Sequence, residues 1–270
     1  MASSFEVDQA EGLRRMLAGP KPRVFTFLSA ASADEKGAML VNLGASLARA
    51  GRDVLLFDAC IASDGISARL DAVRGATLLQ VARQERALDD VIQPMPQGFG
   101  VASLARGPQR AAAQDALQVR RMANAFGVLA ARSDIVLVDA ELDRADRFPI
   151  PTLASGEIVV QVANTPASIK SAYAIIKRLN GALGRRPFNI LVTGASDQEA
   201  QLVSRNIALA ANRYLAVKIR SLGSIPADDH LKRAAYLGRA VVDAFPLAGA
   251  SVAFRRLAGQ FVLSDALAAG

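Results

Sequence analysis

A single lysine, Lys36, follows a run of small residues between a β-rich stretch and an amphipathic helix pattern, where a chain can meet a phosphate group. A loop that cradles phosphates needs glycines for close backbone approach, a lysine for charge, and a Ser or Thr hydroxyl for Mg²⁺. Lys36 supplies the cation. Glu35 replaces a glycine and would bring a carboxylate toward the phosphates, and Gly37 replaces the hydroxyl residue. These residues leave open a weak anion site or an ordinary strand-to-helix connection with a solvated lysine.

Other metal or redox chemistry has little support in the composition. The chain has one cysteine, Cys60, and one histidine, His230, so neither a disulfide framework nor a zinc cluster is expected. Cys60 is interpreted as a small, partly buried residue, and His230 as a surface residue. The first residues lack an apolar signal core, and no apolar run approaches the roughly 18 residues of a membrane span. These features predict a cytoplasmic location.

Strand and helix patterns alternate along most of the chain. Short, nearly continuous apolar runs are typical of strands covered on both faces. They occur at residues 23–29, 53–58, 133–139, 157–162, 188–193 and 218–224. Helical patterns cover residues 37–50, 166–179, 198–212 and 247–263, and residues 93–109 are interpreted as a loop around a short strand. The alternation predicts an α/β fold with a doubly wound, mostly parallel sheet flanked by helices, in one domain spanning residues 23–270.

A short helix pattern precedes this domain. Apolar residues recur at helical spacing from Val7 to Leu17, Asp8 can cap the helix start, and Glu11 follows three residues later as in a capping box. The Gly and Pro residues of 19–22 then stop the helix. Residues 1–22 are therefore predicted to form an N-terminal helix and linker.

Several segments resemble the FlhG (FleN) family of MinD-like ATPases, which control flagellar number and position. Residues 8–14 (DQAEGLR) are similar to its N-terminal DQAxxLR signature. Residues 165–177 resemble its PEPTSLTDAYALIK stretch, and residues 222–228 its LGxIPxD segment. The resemblance implies a MinD/ParA-like P-loop NTPase fold. It also implies that the N-terminal helix binds and stimulates the flagellar GTPase FlhF, with Asp8, Gln9, Leu13 and Arg14 carrying the contact.

The departures from the family pattern fall on its ATPase residues. Lys36 matches the KGGxGKT loop, but Ala31 occupies the place of the signature lysine. Asp58 and Asp139 match the first switch acid and the Walker-B-like acid, and are interpreted as vestigial cofactor-binding residues held by local hydrogen bonds. Other family residues are replaced. Cys60 stands in place of a second Asp, residues 140–143 stand in place of TGAG, and Thr193 stands in place of an Asn that contacts adenine. The resemblance therefore implies a pseudo-ATPase with no catalytic residue in cis and no metal ligand, for which any ATP binding is weak.

The partners and the alternatives follow from the same features. The net charge of +7 comes largely from Arg along helices, which favours a solvated surface over a nucleic-acid groove. Attraction to acidic lipid or to an acidic protein face stays open. Basal-body or transcription-regulator proteins are expected as further partners, with no direct nucleic-acid contact and at most peripheral membrane contact. Through such partners, the chain would reach the cell pole or inner membrane surface. The alternatives are an active ATPase with an atypical P-loop and a DNA-associated partition protein.

Overall fold

The chain folds around one eight-stranded sheet. The computed structural model describes residues 21–62, 65–110 and 115–268, with side chains described up to residue 262. Its strands are β1 (Arg23–Ser29), β2 (Val54–Ala59), β3 (Gln93–Pro94), β4 (Gly100–Ser103), β5 (Ile135–Ala140), β6 (Glu157–Ala163), β7 (Phe188–Thr193) and β8 (Ile219–Ile225). The strand order is β3-β4-β2-β5-β1-β6-β7-β8, and every neighbouring pair is parallel except the short β3–β4 hairpin. The doubly wound, mostly parallel sheet predicted from the sequence is confirmed.

Helices cover both faces of the sheet. They are α1 (Ala33–Arg49), α2 (Ile66–Arg69), α3 (Leu78–Ala82), α4 (Ala116–Ala130), α5 (Pro166–Leu183), α6 (Asp197–Leu215), α7 (Asp229–Tyr236), α8 (Val241–Ala244) and α9 (Gly249–Ala268). Buried residues of α4, α5 and α6 pack on one face, together with Phe57 and Val138. Buried residues of α1, α8 and α9 pack on the other face, together with Phe27 and Leu137. Residues 57 and 138 therefore face away from residues 27 and 137, as the alternation along strands requires.

One predicted helix boundary needs correction, and one helix was missed. The helix expected at residues 37–50 begins four residues earlier, because Ser32 and Glu35 form a capping box that starts α1 at Ala33. Lys36 thus lies in the first turn of a helix rather than in a loop. The 15-residue helix α4 was not predicted; Asp115 caps it by accepting a hydrogen bond from the Gln118 amide.

The C-terminal helix α9, which overlaps the helical pattern predicted at residues 247–263, packs into the core. Phe254, Leu257, Ala258 and Phe261 are buried, and the ring centroid of Phe261 lies 4.3 Å from that of Phe25 on β1. Among the described residues, no helix combines the length and apolarity needed to cross a bilayer. The predicted N-terminal helix, with Asp8, Gln9, Leu13 and Arg14, lies outside the described residues, and the division into residues 1–22 and 23–270 stays a prediction.

Candidate functional site

Lys36 points into the protein and forms a buried ion pair. Only 2% of its surface is exposed, so the prediction of a solvated lysine is wrong. Its Nζ lies 2.7 Å from Asp139 Oδ1 and donates a hydrogen bond to the Ala140 carbonyl at 2.7 Å. Burial alone would lower the pKa of this ammonium, but Asp139, together with Cys60 and Glu141, outweighs burial, and the pKa is raised above its ordinary value. The lysine is therefore charged, and its charge is compensated within the chain.

Four backbone amides between β1 and the first turn of α1 are also occupied internally. The Ala30 amide donates to the Gln161 carbonyl at 2.9 Å, and the Ala31 amide donates to Ser29 Oγ at 3.0 Å. The Ser32 amide donates to Glu35 Oε2 at 3.3 Å, while the Glu35 amide donates to Ser32 Oγ at 3.1 Å. A phosphate at a helix N-terminus relies on free N–H groups. Here the carboxylate and hydroxyl of the capping box take the place that phosphate oxygens would need.

A second buried carboxylate, Asp58, lies on the neighbouring strand and is held by a different cation. Its Oδ2 lies 3.1 Å from Arg110 and accepts hydrogen bonds from the amide and hydroxyl of Ser67. Its Oδ1 accepts the Cys60 amide at 3.1 Å. Burial raises the pKa of Asp58 above its ordinary value, although Arg110 and Ser67 oppose the shift. The hydrogen bonds and the ion pair explain how a 1% exposed carboxyl group is retained in the core.

The described residues that follow β2, 60–62 and 65–67, contact these acids and Glu141. The Ile66 amide donates to Asp139 Oδ2 at 3.0 Å, and the amides of Ile61 and Ala62 donate to Glu141 Oε2 at 2.9 and 2.7 Å. Gly65 lies directly against Asp58, where a Cβ would overlap the carboxylate. The two ends of this segment are thus held by three carboxylates, Asp58, Asp139 and Glu141. These contacts form within the protein, without a bound ligand.

Asp58, Cys60 and Asp139 form a cluster of metal-type donors, with ligand atoms within 4.8 Å of one another. The residues present do not fit Mg²⁺, because a protein cation already neutralises each carboxylate. Mg²⁺ prefers oxygen ligands in a nearly octahedral arrangement. Cys60 supplies sulfur instead, and burial raises the pKa of its thiol well above the ordinary value, so it stays protonated. The expectation that Cys60 is only partly buried is wrong, since 3% of it is exposed.

A cavity of about 290 Å³ lies beside Lys36, between the α1 loop, the end of β5 and helix α5. Its walls include the small residues Ala31, Ala33 and Ala140 together with Glu141 and Arg178. Arg178 forms an ion pair with Asp146 outside the cavity. The cations that line the cavity are therefore paired, and Glu141 adds a negative charge, which disfavours a triphosphate.

The remaining candidate residues are placed as follows. His230 is only half-buried, with its Nδ1 2.8 Å from Asp228 and its ring 4.8 Å from that of Phe245. Thr193 accepts a hydrogen bond from Gln161 at 3.4 Å. The structure thus brings Lys36, Asp58 and Asp139 together at the carboxyl ends of β1, β2 and β5.

Sequence reasoning missed two partners in this site, Arg110 and Ser67. Arg110 lies 52 positions after Asp58, and no local pattern connects the two residues. The Ser32–Glu35 capping box, by contrast, has a sequence signal, because Ser followed three residues later by Glu marks a helix start.

The fold and the buried acids at the strand ends define a class. A scan against protein-family models finds no match. Among solved structures, the chain resembles MinD from Pyrococcus horikoshii in complex with Mg-ADP (TM-score 0.68, 17% identity, 89% of this chain and 96% of that chain). It also resembles a ParA family ATPase from Chlorobium tepidum (TM-score 0.66, 16% identity, 88% of this chain and 97% of that chain). The chain has the MinD/ParA fold.

Sequence similarity identifies the family within that class. The chain is 32% identical over 219 residues to the antiactivator FleN of Pseudomonas aeruginosa, a match that covers 81% of this chain and 78% of FleN. The chain belongs to the FleN family.

Proposed function

We propose that this chain regulates the assembly, number and placement of bacterial flagella as a FleN-type antiactivator that works by protein contact and not by ATP turnover. The observation that carries the proposal is the buried Lys36–Asp139 ion pair. The matching lysine of the KGGxGKT loop would have to reach phosphates, whereas this lysine is committed to an acid of its own chain.

Binding of Mg-ATP would require the internal contacts of this site to break, and that exchange is unfavourable. Lys36 could reach a phosphate only by leaving Asp139, and removing one partner of a buried ion pair costs about 3–5 kcal/mol. A bound Mg²⁺ would in addition have to displace the Arg110 guanidinium from Asp58. The capping box would also have to open before the loop amides could meet phosphate. ATP hydrolysis would require all three rearrangements, so we expect no ATP hydrolysis.

Titration calorimetry with Mg-ATP tests the pseudo-ATPase part. We expect no binding heat above that of buffer for the native chain, and the same for Lys177→Met, a surface control on α5. Magnesium-dependent ATP affinity in both chains, lost in Lys36→Met at a temperature where that variant is still folded, would establish the alternative of an atypical ATPase.

We further propose that the N-terminal segment stimulates the flagellar GTPase FlhF. Membership of the FleN family and the DQAEGLR stretch at residues 8–14 support this assignment. Gln9 would act in trans by positioning water at the partner's nucleotide, as water-orienting glutamines do in other GTPase systems. Leu13 would supply apolar contact, with Asp8 and Arg14 setting orientation.

The GTPase rate of FlhF with the full chain tests this second part. We expect Gln9→Ala to reduce the stimulation at least tenfold, and Ser3→Ala, in the same segment, to leave it unchanged. Addition of ATP should not alter either result. Equal stimulation by the native chain and Gln9→Ala would exclude the proposed role of Gln9.

A further inference from the structure

The positive charge of the chain is concentrated in one stretch. Residues 158–227 contain nine Lys or Arg but only two acids, Asp197 and Glu199, which gives a net charge of +7. The whole chain also carries +7, so all residues outside this stretch balance to zero. The excess positive charge of the chain therefore lies within residues 158–227.

The structure places this stretch on one side of the molecule. Helices α5 and α6 pack against each other over the same face of the sheet, and α6 also packs along the edge strand β8. Six exposed cations lie here: Lys170 and Lys177 on α5, Arg205 and Arg213 on α6, Arg220 on β8, and Lys218 just before β8. Within the described residues, none of the six forms an ion pair. We call this surface the basic face.

Apolar side chains lie among these cations. Leu202, Leu209 and Tyr214 of α6 are 61%, 59% and 67% exposed. Leu202 and Leu209 are seven positions apart, so they share one side of the helix, and Arg205 lies between them. The opposite side of α6 is already used, since Val203, Ile207 and Ala211 are buried against the sheet.

We propose that the basic face binds an acidic, amphipathic segment of a partner protein. The unpaired cations select carboxylates, and the two leucines supply a small apolar centre around which such a segment can exclude water. The inference concerns cations that do not line the cavity beside Lys36, and it does not depend on the proposed function.

Two other acidic partners fit less well. A membrane-surface helix inserts a broad apolar face into lipid. Helix α6 cannot do so, because its apolar side packs on the sheet and only two separated leucines face outward. Single-stranded nucleic acid is held by cations interleaved with aromatic stacking platforms. Among the described residues of this face, Tyr214 is the one largely exposed aromatic side chain, and Tyr173 on α5 is half-buried. Duplex phosphates would leave the leucines against a charged backbone.

Fluorescence anisotropy with four labelled probes and the full chain tests the proposal. The first probe is a synthetic helix with leucines along one side and glutamates flanking them. The second has the same composition with the leucines scattered. The third is a short DNA duplex, and the fourth is a vesicle of phosphatidylglycerol and phosphatidylcholine. Each probe is titrated with the native chain, Arg205→Glu, Leu209→Ser and a control, Lys232→Glu, which reverses an exposed charge on α7.

We expect the patterned peptide to bind at least tenfold more tightly than its scrambled form. Arg205→Glu and Leu209→Ser should each weaken that binding about tenfold or more, whereas Lys232→Glu should not. Equal affinity for both peptides, no binding of either peptide, or stronger binding of DNA or vesicles through Arg205 would overturn the proposal. Circular dichroism of each variant confirms that the fold is retained.

Discussion

The cations of this protein are used in two opposite ways. At the carboxyl ends of β1, β2 and β5, Lys36 is buried, the Arg110 side chain is 10% exposed, and each neutralises one carboxylate. On the basic face, six Lys and Arg side chains are exposed and have no acidic partner among the described residues. The first region lies where this fold holds a nucleotide, but its cations are already paired with carboxylates of the same chain. The second has no counterpart in the P-loop pattern, and its charges are available to a partner.

The difference between the two regions indicates which cations can bind an anionic ligand. A buried cation that is already paired can bind an anion only by abandoning its partner, and that exchange is unfavourable by several kcal/mol. An exposed, unpaired cation gives up only water and counterions. Functional surfaces in a chain of this fold need not coincide with the site where the fold usually holds its nucleotide.

The largest effect should come from breaking the buried pair. In Lys36→Met, Asp139 would lose its compensating charge in a nearly water-free environment, so we expect the free energy of unfolding to fall by about 3–5 kcal/mol. Urea denaturation followed by circular dichroism measures the change. A loss below about 1 kcal/mol would show that Lys36 is not held by Asp139 in solution.

A double variant separates the ion pair from side-chain packing. Lys36→Met with Asp139→Leu removes both charges and keeps apolar volume, so much of the lost stability should return. If the two substitutions were simply additive, the ion-pair explanation would be wrong.

The same pair predicts a dependence on alkaline pH. The raised pKa of Lys36 means that its stabilising contribution is fully present below the ordinary value of 10.5 and is lost as pH rises through the folded-state pKa. The difference in unfolding free energy between the native chain and Lys36→Met should thus be constant at neutral pH and shrink above 10.5. A difference that falls between pH 6 and 9 would contradict the assignment, because Lys36 does not titrate there.

Two glycines, one in each region, give a smaller and matched comparison. Gly65→Ala would place a methyl group on the Asp58 carboxylate, and we expect a loss of about 1–3 kcal/mol. Gly181→Ala on α5 meets no atom within 4 Å and should gain about 0.5–1 kcal/mol through helix propensity. Thermal unfolding of the two variants should shift in opposite directions. Shifts in the same direction would mean that Gly65 is not tightly enclosed.

The alternation of apolar strands and amphipathic helices made the sheet predictable. Burial on both faces requires nearly continuous apolar runs, and such runs are visible in the sequence at residues 54–59 and 135–140. Helix α4 was not predicted, although Asp115 supplies its N-cap. The start of α1 was misplaced because the small residues 30–33 suggested a loop, while the capping box at Ser32 and Glu35 marked a helix.

Three residues of the site were predictable from the sequence, but the side chains that pair with them were not. Lys36, Asp58 and Asp139 could be identified because they match the loop lysine and the two acids of the family pattern, and parallel strands place their carboxyl ends at one edge. The sequence does not indicate which cation meets which acid. Lys36 and Asp139 are about a hundred positions apart, and Arg110 reaches Asp58 from a different loop. Such choices depend on side-chain geometry that no spacing rule encodes.

The capping box that fills the loop should have a modest effect. In Ser32→Ala, the Glu35 amide loses its acceptor, and we expect a loss of about 1 kcal/mol by chemical denaturation. Ser32→Asp retains a capping oxygen and serves as the control, with stability near that of the native chain. If Ser32→Ala were instead neutral and gained affinity for inorganic phosphate, the loop amides would be available to an anion once uncapped.

The smallest effect is expected on the basic face, and it completes the comparison with Lys36. Lys177→Met makes the same substitution as Lys36→Met, but at an exposed position on α5. Lys177 has no ion-pair partner among the described residues. Surface substitutions of this kind change the free energy of unfolding by at most about 0.5 kcal/mol. Chemical denaturation of both variants compares their losses in the free energy of unfolding. Because the substitution is identical, any difference between the two losses comes from the environment of the lysine. A loss of 2 kcal/mol or more in Lys177→Met would mean that this lysine has an internal partner, and the basic face would then no longer be a surface reserved for binding.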